Sequence, residues 1–201
     1  EKPNETEKPN QTEKPDQTEK PNQTEKPKDN KSDQNTSGSA GKIGDVIADA
    51  AGVFNYTITG NDTVEVKSMA AKGKTKKAVK ISASIKANGK TYKVTGIAAN
   101  AFKGNKKMTS VLIGGNVKKI GRSAFENCNN VKNLSLSGSL TELPNLAFYG
   151  CGISDLCIPD SVTQIGVETF SNCSSLSAVQ LSRNLKTISH SAFYNCEELK
   201  S

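Results

Sequence analysis

The strongest constraint on this chain is a phenylalanine that recurs at an almost constant spacing. It stands at Phe102, Phe125, Phe148, Phe170 and Phe193, in steps of 23, 23, 22 and 23 residues. Three other columns keep this period: an aliphatic residue five places before the phenylalanine, a cysteine three places after it in four of the five copies, and a second apolar residue further on. Several apolar columns that share one period predict stacked, nearly identical layers rather than one irregular core.

Short segments whose side chains alternate between inward and outward positions recur with the same period, at residues 111–113, 134–136, 156–158 and 179–181. Stacked in register, these segments form one parallel sheet, and pairs such as Val117 and Ile120 form a second buried edge. We expect the Phe-x-x-Cys segment to be a short helical turn. The sequence therefore predicts a leucine-rich-repeat solenoid of parallel β-strands and short helical turns, with about 23 residues per repeat, over residues 94–201. The last of its five repeats stops at Ser201 before its next strand, so we expect the natural protein to continue.

Residues 1–41 have a different composition, because they contain no Val, Ile, Leu, Phe, Tyr or Met. They begin with an EKPNQT-type hexapeptide array whose regularly spaced prolines prevent a continuous helix. Without apolar side chains, this segment cannot offset the entropy lost on folding. It is predicted to be a disordered spacer that holds a folded module away from a surface, or else a passive interdomain linker.

Residues 42–93 are predicted to be a β-rich N-terminal cap. Residues 53–59 and 63–67 flank a Gly-Asn-Asp turn and indicate one β-hairpin, and residues 79–85 and 90–94 flank Asn88-Gly89 and indicate a second. A solenoid leaves the core of its first layer open to water, so it needs such a cap.

The net charge of +7 is unevenly distributed, since residues 1–41 carry seven lysines against nine acids. Many lysines fall between Lys67 and Lys119, and this block would attract anionic partners such as acidic proteins or sulfated glycans. Nucleic acid is not expected, because no aromatic residues are interleaved for base stacking. The alternative is a solvated surface that only aids solubility. The lysines of a possible weak binding surface are Lys72, Lys74, Lys76, Lys77, Lys106, Lys107, Lys118 and Lys119.

Little in the sequence favours catalysis or a cofactor. His190 is the single histidine, so a nucleophile–histidine arrangement would have to use it. The four cysteines of the repeat column are expected to be unpaired buried thiols, and no close cysteine pair suggests zinc. Cys157 lies outside this column on an outward strand position, where it is either a shielded thiol or a partner for a second chain. We expect no enzyme activity, no cofactor, no metal and no membrane insertion by this segment.

The outward positions of the predicted strands are small and mostly neutral. Binding hot spots are enriched in Trp, Tyr and Arg, so this face alone is predicted to bind weakly. Adhesion would then be multivalent or would use the lysine-rich region. The outward positions are Ser110, Leu112, Gly114, Asn133, Ser135, Ser137, Asp155, Cys157, Pro159, Ala178, Gln180 and Ser182.

The segment 158–176, which reads IPDSVTQIGVETFSNCSSL, resembles the consensus of the BspA-like leucine-rich repeats. Three copies depart from it at the glycine, which is replaced by Ala98, Pro144 and Ser189. In the first copy Asn105 replaces the cysteine. The resemblance implies a secreted or wall-associated bacterial surface protein that adheres to host matrix proteins or to other bacteria, although similar repeats also occur in parasitic protists. It carries no catalytic residues. Two alternatives remain open: a recognition module of a larger secreted hydrolase, and a structural stalk that displays another domain.

Overall fold

A computed structural model describes residues 41–200 of the chain. The predicted spacer therefore lies outside the described residues, apart from Gly41. The described part contains fourteen strands and one turn of 3-10 helix at Ala71–Gly73. The strands are β1 (Val46–Ala48), β2 (Phe54–Gly60), β3 (Thr63–Met69), β4 (Ala78–Ile81), β5 (Ser84–Ala87), β6 (Lys90–Ile97), β7 (Ser110–Ile113), β8 (Lys119–Ile120), β9 (Asn133–Ser135), β10 (Glu142–Leu143), β11 (Asp155–Cys157), β12 (Gln164–Ile165), β13 (Ala178–Gln180) and β14 (Thr187–Ile188).

The N-terminal strands form a sheet in the order β1-β2-β3-β6-β5. The pairs β2/β3 and β5/β6 are antiparallel hairpins, whereas β3 and β6 run parallel. Asn88 and Gly89 form the β5–β6 turn with φ of 50° and 73°. Two consecutive left-handed residues define the hairpin turn whose twist matches that of the flanking strands.

The start of the parallel sheet differs from the sequence prediction. Residues 79–85 were expected to be one arm of a cap hairpin, but β4 pairs in parallel with β7, and only β5 pairs with β6. Val79 and Ile81 face the core in register with Val111 and Ile113. This pairing buries the side chains of Val79 and Ile81 in the repeat core. Pairing with β6 in the cap would not have placed them there.

Five layers follow from this pairing, each made of a strand, a short edge strand and a phenylalanine turn. The strand ladder comprises β4, β7, β9, β11 and β13. The edge ladder comprises the end of β6, then β8, β10, β12 and β14. Layers 1 to 5 contain Phe102, Phe125, Phe148, Phe170 and Phe193, respectively. Adjacent phenylalanine rings stack nearly parallel with centroids 4.8 to 5.4 Å apart, and Phe54 covers the first ring edge-on at 5.9 Å.

The phenylalanine turns are not helical, contrary to the prediction. In every layer the residues two places before and two places after the phenylalanine have left-handed φ values, for example 57° at Ser123 and 58° at Asn127. A right-handed helix cannot continue through such residues. Some backbone N–H groups of each turn bond locally, as Glu126 N does to Ser123 O at 3.2 Å, and others join neighbouring layers. Phe125 N donates to Ala147 O at 2.8 Å, and Phe148 N to Thr169 O at 2.9 Å. These bonds form a third ladder, the turn ladder, which continues through all four interfaces.

Layer 3 interrupts the other two ladders. Gly121 N donates to Ile97 O and Gly166 N to Leu143 O, both at 2.8 Å. Pro144 occupies the same slot and has no N–H, so β8 and β10 are unpaired. The segment after Cys151, which leads to the strand of layer 4, is one residue shorter than in the other copies. In the part of the chain described, β9 and β11 are also unpaired.

The cysteine column has a structural role that its apolar burial alone did not predict. Each thiol donates to the carbonyl of a phenylalanine in the preceding layer at 3.1 to 3.2 Å: Cys128 to Phe102, Cys151 to Phe125, Cys173 to Phe148 and Cys196 to Phe170. No disulfide joins cysteines within residues 41–200. The column therefore packs as small side chains and also adds a second hydrogen bond to one carbonyl per interface, which already accepts from the backbone N–H three residues on.

Candidate binding surface

A groove crosses the outer face of the strand ladder from layer 1 to layer 4. Its volume is about 460 Å³. Lys80 lies at its first layer and Asp155 at its last, with exposed Leu112 between them. The other residues that line it are Ala78, Val79, Ser110, Val111, Asn133, Leu134 and Ser135.

The strand register explains how this groove arises. Lys80, Leu112 and Ser135 face each other in one column, and Ala78, Ser110 and Asn133 form the next. Alternate residues of a strand point to the same face, so both columns point outward while Val79 and Val111 point inward. Small side chains in the second column leave space beside the larger Leu112 and Lys80.

The predicted outward positions mostly lie on this face, with two exceptions. Leu112, Asn133, Ser135, Asp155, Cys157 and Gln180 are exposed, but Ser137 and Ser182 are buried. Each of these two serines accepts a hydrogen bond at Oγ from a backbone N–H two residues on, Ser139 and Asn184. They therefore close the turn after the strand instead of presenting a hydroxyl to a ligand.

The eight predicted lysines do not form a single cluster. Six of them precede the first two strands of the strand ladder, in the segments that lead into β4 and β7. Lys118 and Lys119 instead lie at β8, in the edge ladder. The six are Lys72, Lys74, Lys76, Lys77, Lys106 and Lys107, and all are exposed.

Two further lysines near the groove were not singled out from the sequence. Lys80 is in β4, and Lys132 directly precedes β9 in the column of Lys77 and Thr109, as the bonds Thr109 N to Lys77 O and Lys132 N to Thr109 O show. The alternating pattern around Lys80 is visible in the sequence, but it does not lie at the repeat spacing. Val79 precedes Val111 by 32 residues instead of 23, because the β5–β6 hairpin is inserted in the first repeat.

Charge is polarised along the solenoid. Residues 42–131 carry sixteen Lys and Arg against five acids, whereas residues 132–200 carry four against six. Most lysines of the first part have no acidic partner within residues 41–200. Lys103 is one that does, and lies 2.8 Å from Glu126. Burial alone would raise the pKa of Glu126, but hydrogen bonds from Lys103 and Ser123 and the charge of Lys103 lower its pKa overall.

Among the eight predicted site lysines, Lys106 is the one whose side chain makes hydrogen bonds within residues 41–200. Its ammonium donates to Asn127 O at 3.1 Å and to Asn129 Oδ1. These acceptors are neutral, so the positive charge stays uncompensated while the side chain is held against the next layer.

The residues considered for catalysis do not come together. His190 is exposed, and its side chain has no hydrogen-bond partner within residues 41–200. Burial raises the pKa of the Cys173 thiol to about 12, and it also raises that of Cys196. A hydrogen bond with Cys128, together with burial, raises the pKa of Cys151 well above its usual value. The thiols of these three residues therefore remain protonated and are poor nucleophiles at neutral pH.

Between residues 41 and 200, no group of three or more His, Cys, Asp or Glu side chains is placed to hold a metal ion. No helix in that range is long and apolar enough to cross a membrane.

The parallel ladders, the recurrent short layers and the stacked phenylalanines define a leucine-rich-repeat protein. Residues 95–201 match the family model described as BspA type leucine rich repeat region, in six copies where the phenylalanine spacing indicates five. The match covers more than half of the chain, which therefore belongs to this family. No curated protein sequence matches the chain.

Solved structures of bacterial leucine-rich-repeat proteins share the fold. The T. pallidum leucine rich repeat protein TpLRR is 29% identical, with a TM-score of 0.68 over 76% of this chain and 69% of that one. A leucine-rich repeat protein from Bacteroides ovatus is 27% identical, with a TM-score of 0.58 over 77% of this chain and 45% of that one. Another from Bacteroides capillosus is 26% identical, with a TM-score of 0.54 over 71% of this chain and 96% of that one.

Proposed function

We propose that this chain is a non-catalytic binding module of a cell-surface or secreted bacterial protein, and that it attaches the protein to host matrix proteins or to other cells. Membership of the BspA-type family supports a surface repeat protein. The observation that carries the binding role is the groove on the strand ladder, which is flanked by exposed lysines. In this proposal, residues 1–41 are the spacer that separates the module from its anchor.

The lysines indicate the charge of the partner. Lys76, Lys77, Lys106 and Lys107 precede β4 and β7, two strands that line the groove, and in this proposal they form the principal attractive surface. Lys72 and Lys74 lie further back, around the 3-10 turn, and Lys118 and Lys119 form a second patch on the edge ladder. The partner is therefore an acidic protein surface or an anionic glycan, held weakly by each module and more strongly by several modules together.

The non-catalytic part of the proposal rests on the site chemistry. The histidine has no described partner, and the raised pKa values of Cys151, Cys173 and Cys196 keep these three thiols protonated. The matched family is a repeat family and not an enzyme family. A recognition module within a larger hydrolase would have the same surface, so the binding test below applies to it equally.

The test measures binding of the full chain to immobilised fibronectin, fibrinogen and heparin, first at physiological salt and then at about 0.5 M, where exposed charges are strongly screened. Binding to one protein that persists at high salt supports a specific adhesion module. Binding to every anionic surface that disappears with salt reduces the lysines to general charge attraction. Absence of binding to all three surfaces overturns the adhesion proposal and favours a structural stalk.

Charge variants locate the surface. Replacement of Lys76, Lys77, Lys106 and Lys107 by Gln is expected to weaken binding and to reduce its salt dependence. The matched control replaces Lys118 and Lys119 by Gln on the edge ladder. Equal loss in both variants would show that total charge matters and position does not.

A further inference from the structure

We infer that the groove on the strand ladder binds an extended acidic peptide that carries one apolar side chain; this inference rests on the proposed binding function and names its ligand class. The carboxylates of the peptide pair with the lysines at layers 1 to 3. Its apolar side chain covers Leu112, and the end nearest layer 4 is neutral or basic, beside Asp155.

The dimensions of the groove match a short peptide. Lys80 and Asp155 are three layers apart, and neighbouring parallel strands are about 4.8 Å apart, so the groove is about 14 Å long. An extended chain advances about 3.4 Å per residue, and four or five residues therefore span it. β7, in the middle of the groove, pairs with β4 on one side and β9 on the other, so its side chains make the contacts with the ligand.

The charged residues around the groove are lysines at layers 1 and 3 and one acid at layer 4. Lys80 lines it, and Lys77 and Lys132 stand at the N-terminal ends of β4 and β9. Within residues 41–200 none of these three has an acidic partner within ion-pair distance. The single acid among the lining residues is Asp155, which accepts a hydrogen bond from Ser154 Oγ at 2.9 Å. This asymmetry gives the peptide a direction.

The apolar character of Leu112 distinguishes a peptide from a sulfated glycan. Its side chain is 43% exposed in the middle of the groove, between Lys80 and Ser135 in its own column. Covering that surface removes apolar area from water, which an aliphatic side chain of a peptide does. A sulfated sugar chain presents charged groups and hydroxyls, and it would leave Leu112 without an apolar contact.

Asn133 supplies the polar contact that an extended backbone needs. Its side chain is exposed in the groove and has no hydrogen-bond partner within the described residues. A carboxamide both donates and accepts, so it can bond the N–H and C=O of one peptide unit in the ligand. A glycan hydroxyl would satisfy it equally, so the choice between the two ligands depends on Leu112.

The experiment titrates ¹⁵N-labelled full chain with acetyl-Glu-Glu-Leu-Ser-Lys-amide and follows amide chemical shifts. The parallel probes are the same peptide with Ser in place of Leu, a charge-reversed acetyl-Lys-Lys-Leu-Ser-Glu-amide, and a heparin-derived tetrasaccharide. We expect shifts concentrated on β4, β7 and β9, and affinity at least fivefold lower for both altered peptides.

Two variants test the assigned contacts. Leu112→Ser is expected to weaken the leucine peptide about fivefold and to leave the serine peptide unchanged. Lys80→Gln is expected to weaken both by about threefold. The controls are Leu181→Ser, which alters a leucine of equal exposure (44%) outside the groove, and Lys118→Gln on the edge ladder. All four positions are exposed, so unchanged circular dichroism and melting temperature are expected.

The inference is overturned if Leu112→Ser has no effect, or if the tetrasaccharide binds more tightly than the peptide and is insensitive to Leu112. Equal binding of immobilised matrix proteins by the unmodified chain and by Leu112→Ser would support the proposed function and contradict the assignment of the ligand to this groove. A chain that binds neither peptides nor matrix proteins would reject both.

Discussion

On the turn side of the solenoid all four interfaces keep their backbone bonds and their stacked phenylalanines, whereas on the strand side the ladder is interrupted between layers 3 and 4. The turn side buries Phe125, Phe148 and Phe170, each at most 1% exposed. The strand side carries the groove and exposes Leu112 and Lys80. The difference indicates that the turn side stabilises the solenoid and the strand side presents the binding surface. The repeated contacts between layers are complete on the turn side and incomplete on the strand side.

The largest expected effect comes from the turn side. Phe148→Ala removes a ring that stacks on Phe125 and Phe170 at 5.3 and 5.4 Å, and we expect the free energy of unfolding to fall by about 3–5 kcal/mol. In a solenoid, such a cavity also weakens the coupling between neighbouring layers. Denaturant unfolding with two probes, one on each side of layer 3, measures both effects.

The matched control for Phe148→Ala is Tyr194→Ala, which removes an exposed aromatic ring in the same kind of turn. Its expected change is within about 0.5 kcal/mol. Similar losses for the two variants would mean that the stacked rings do not provide the stability assigned to the turn side.

The next effect is a dependence of stability on alkaline pH. The pKa of Cys173 is raised by burial to about 12, from an ordinary value of 9.0. Between these values the unfolded chain binds fewer protons than the folded one, so the free energy of unfolding falls as pH rises. The expected slope for this group is about 1.4 kcal/mol per pH unit, levelling above pH 12.

Comparing stability at pH 8.5 and about 10.5 measures the summed slope of the thiols with raised pKa values, and the change in slope on replacing Cys173 gives its share. Cys173→Ala lowers stability at both values, because it removes the bond to Phe148 O, but it should also make the dependence on pH shallower. The matched control is Cys157→Ala, which removes a thiol from the exposed strand face instead of a buried one. An unchanged slope in Cys173→Ala would show that this thiol does not ionise on unfolding as expected.

A smaller effect concerns the gap in the edge ladder. Ser189 occupies the slot of Pro144 two layers on, and its N–H donates to Ile165 O at 2.9 Å. Pro144→Ser supplies the missing donor toward Ile120 O, a bond that contributes about 1 kcal/mol. Part of this gain is offset by the greater freedom of the unfolded chain without proline.

Hydrogen exchange measures the Pro144→Ser prediction directly. The new backbone amide at position 144 is expected to be protected to a degree similar to that of Gly121 and Gly166. Rapid exchange at position 144 would mean that the gap has a cause other than the missing N–H, and the contrast between the ladders would need another explanation.

The smallest effect on stability is expected for the charge variants on the strand side. Replacing Lys76, Lys77 and Lys107 by Gln removes exposed charges without described acidic partners, and the free energy of unfolding should change by less than about 0.5 kcal/mol per site. Thermal unfolding of this triple variant, beside the four-lysine variant used for binding, measures it. A large destabilisation would show that these lysines stabilise the fold. A loss of binding could then not be assigned to loss of contact with the partner.

The sequence by itself determined the layered core. The columns of phenylalanine, aliphatic residues and cysteine recur at one period, and burial of apolar area requires the same contacts in each copy. It also indicated the turn at Asn88-Gly89, because the conformational preference of those two residues is local. For the same reason, the missing hydrogen bond at Pro144 follows from the residue type once its slot in the repeat is known.

Only the tertiary structure decided three other features. The left-handed turns contain Leu146 and Glu168, residues with no local preference for that conformation; bonds to the next layer hold them there. The assignment of β4 to the strand ladder depends on pairing with β7 across an inserted hairpin, which no local pattern encodes. The groove arises because that pairing places Lys80, Leu112 and Ser135 in one column, and contacts between residues so distant in sequence exist only after the layers have stacked.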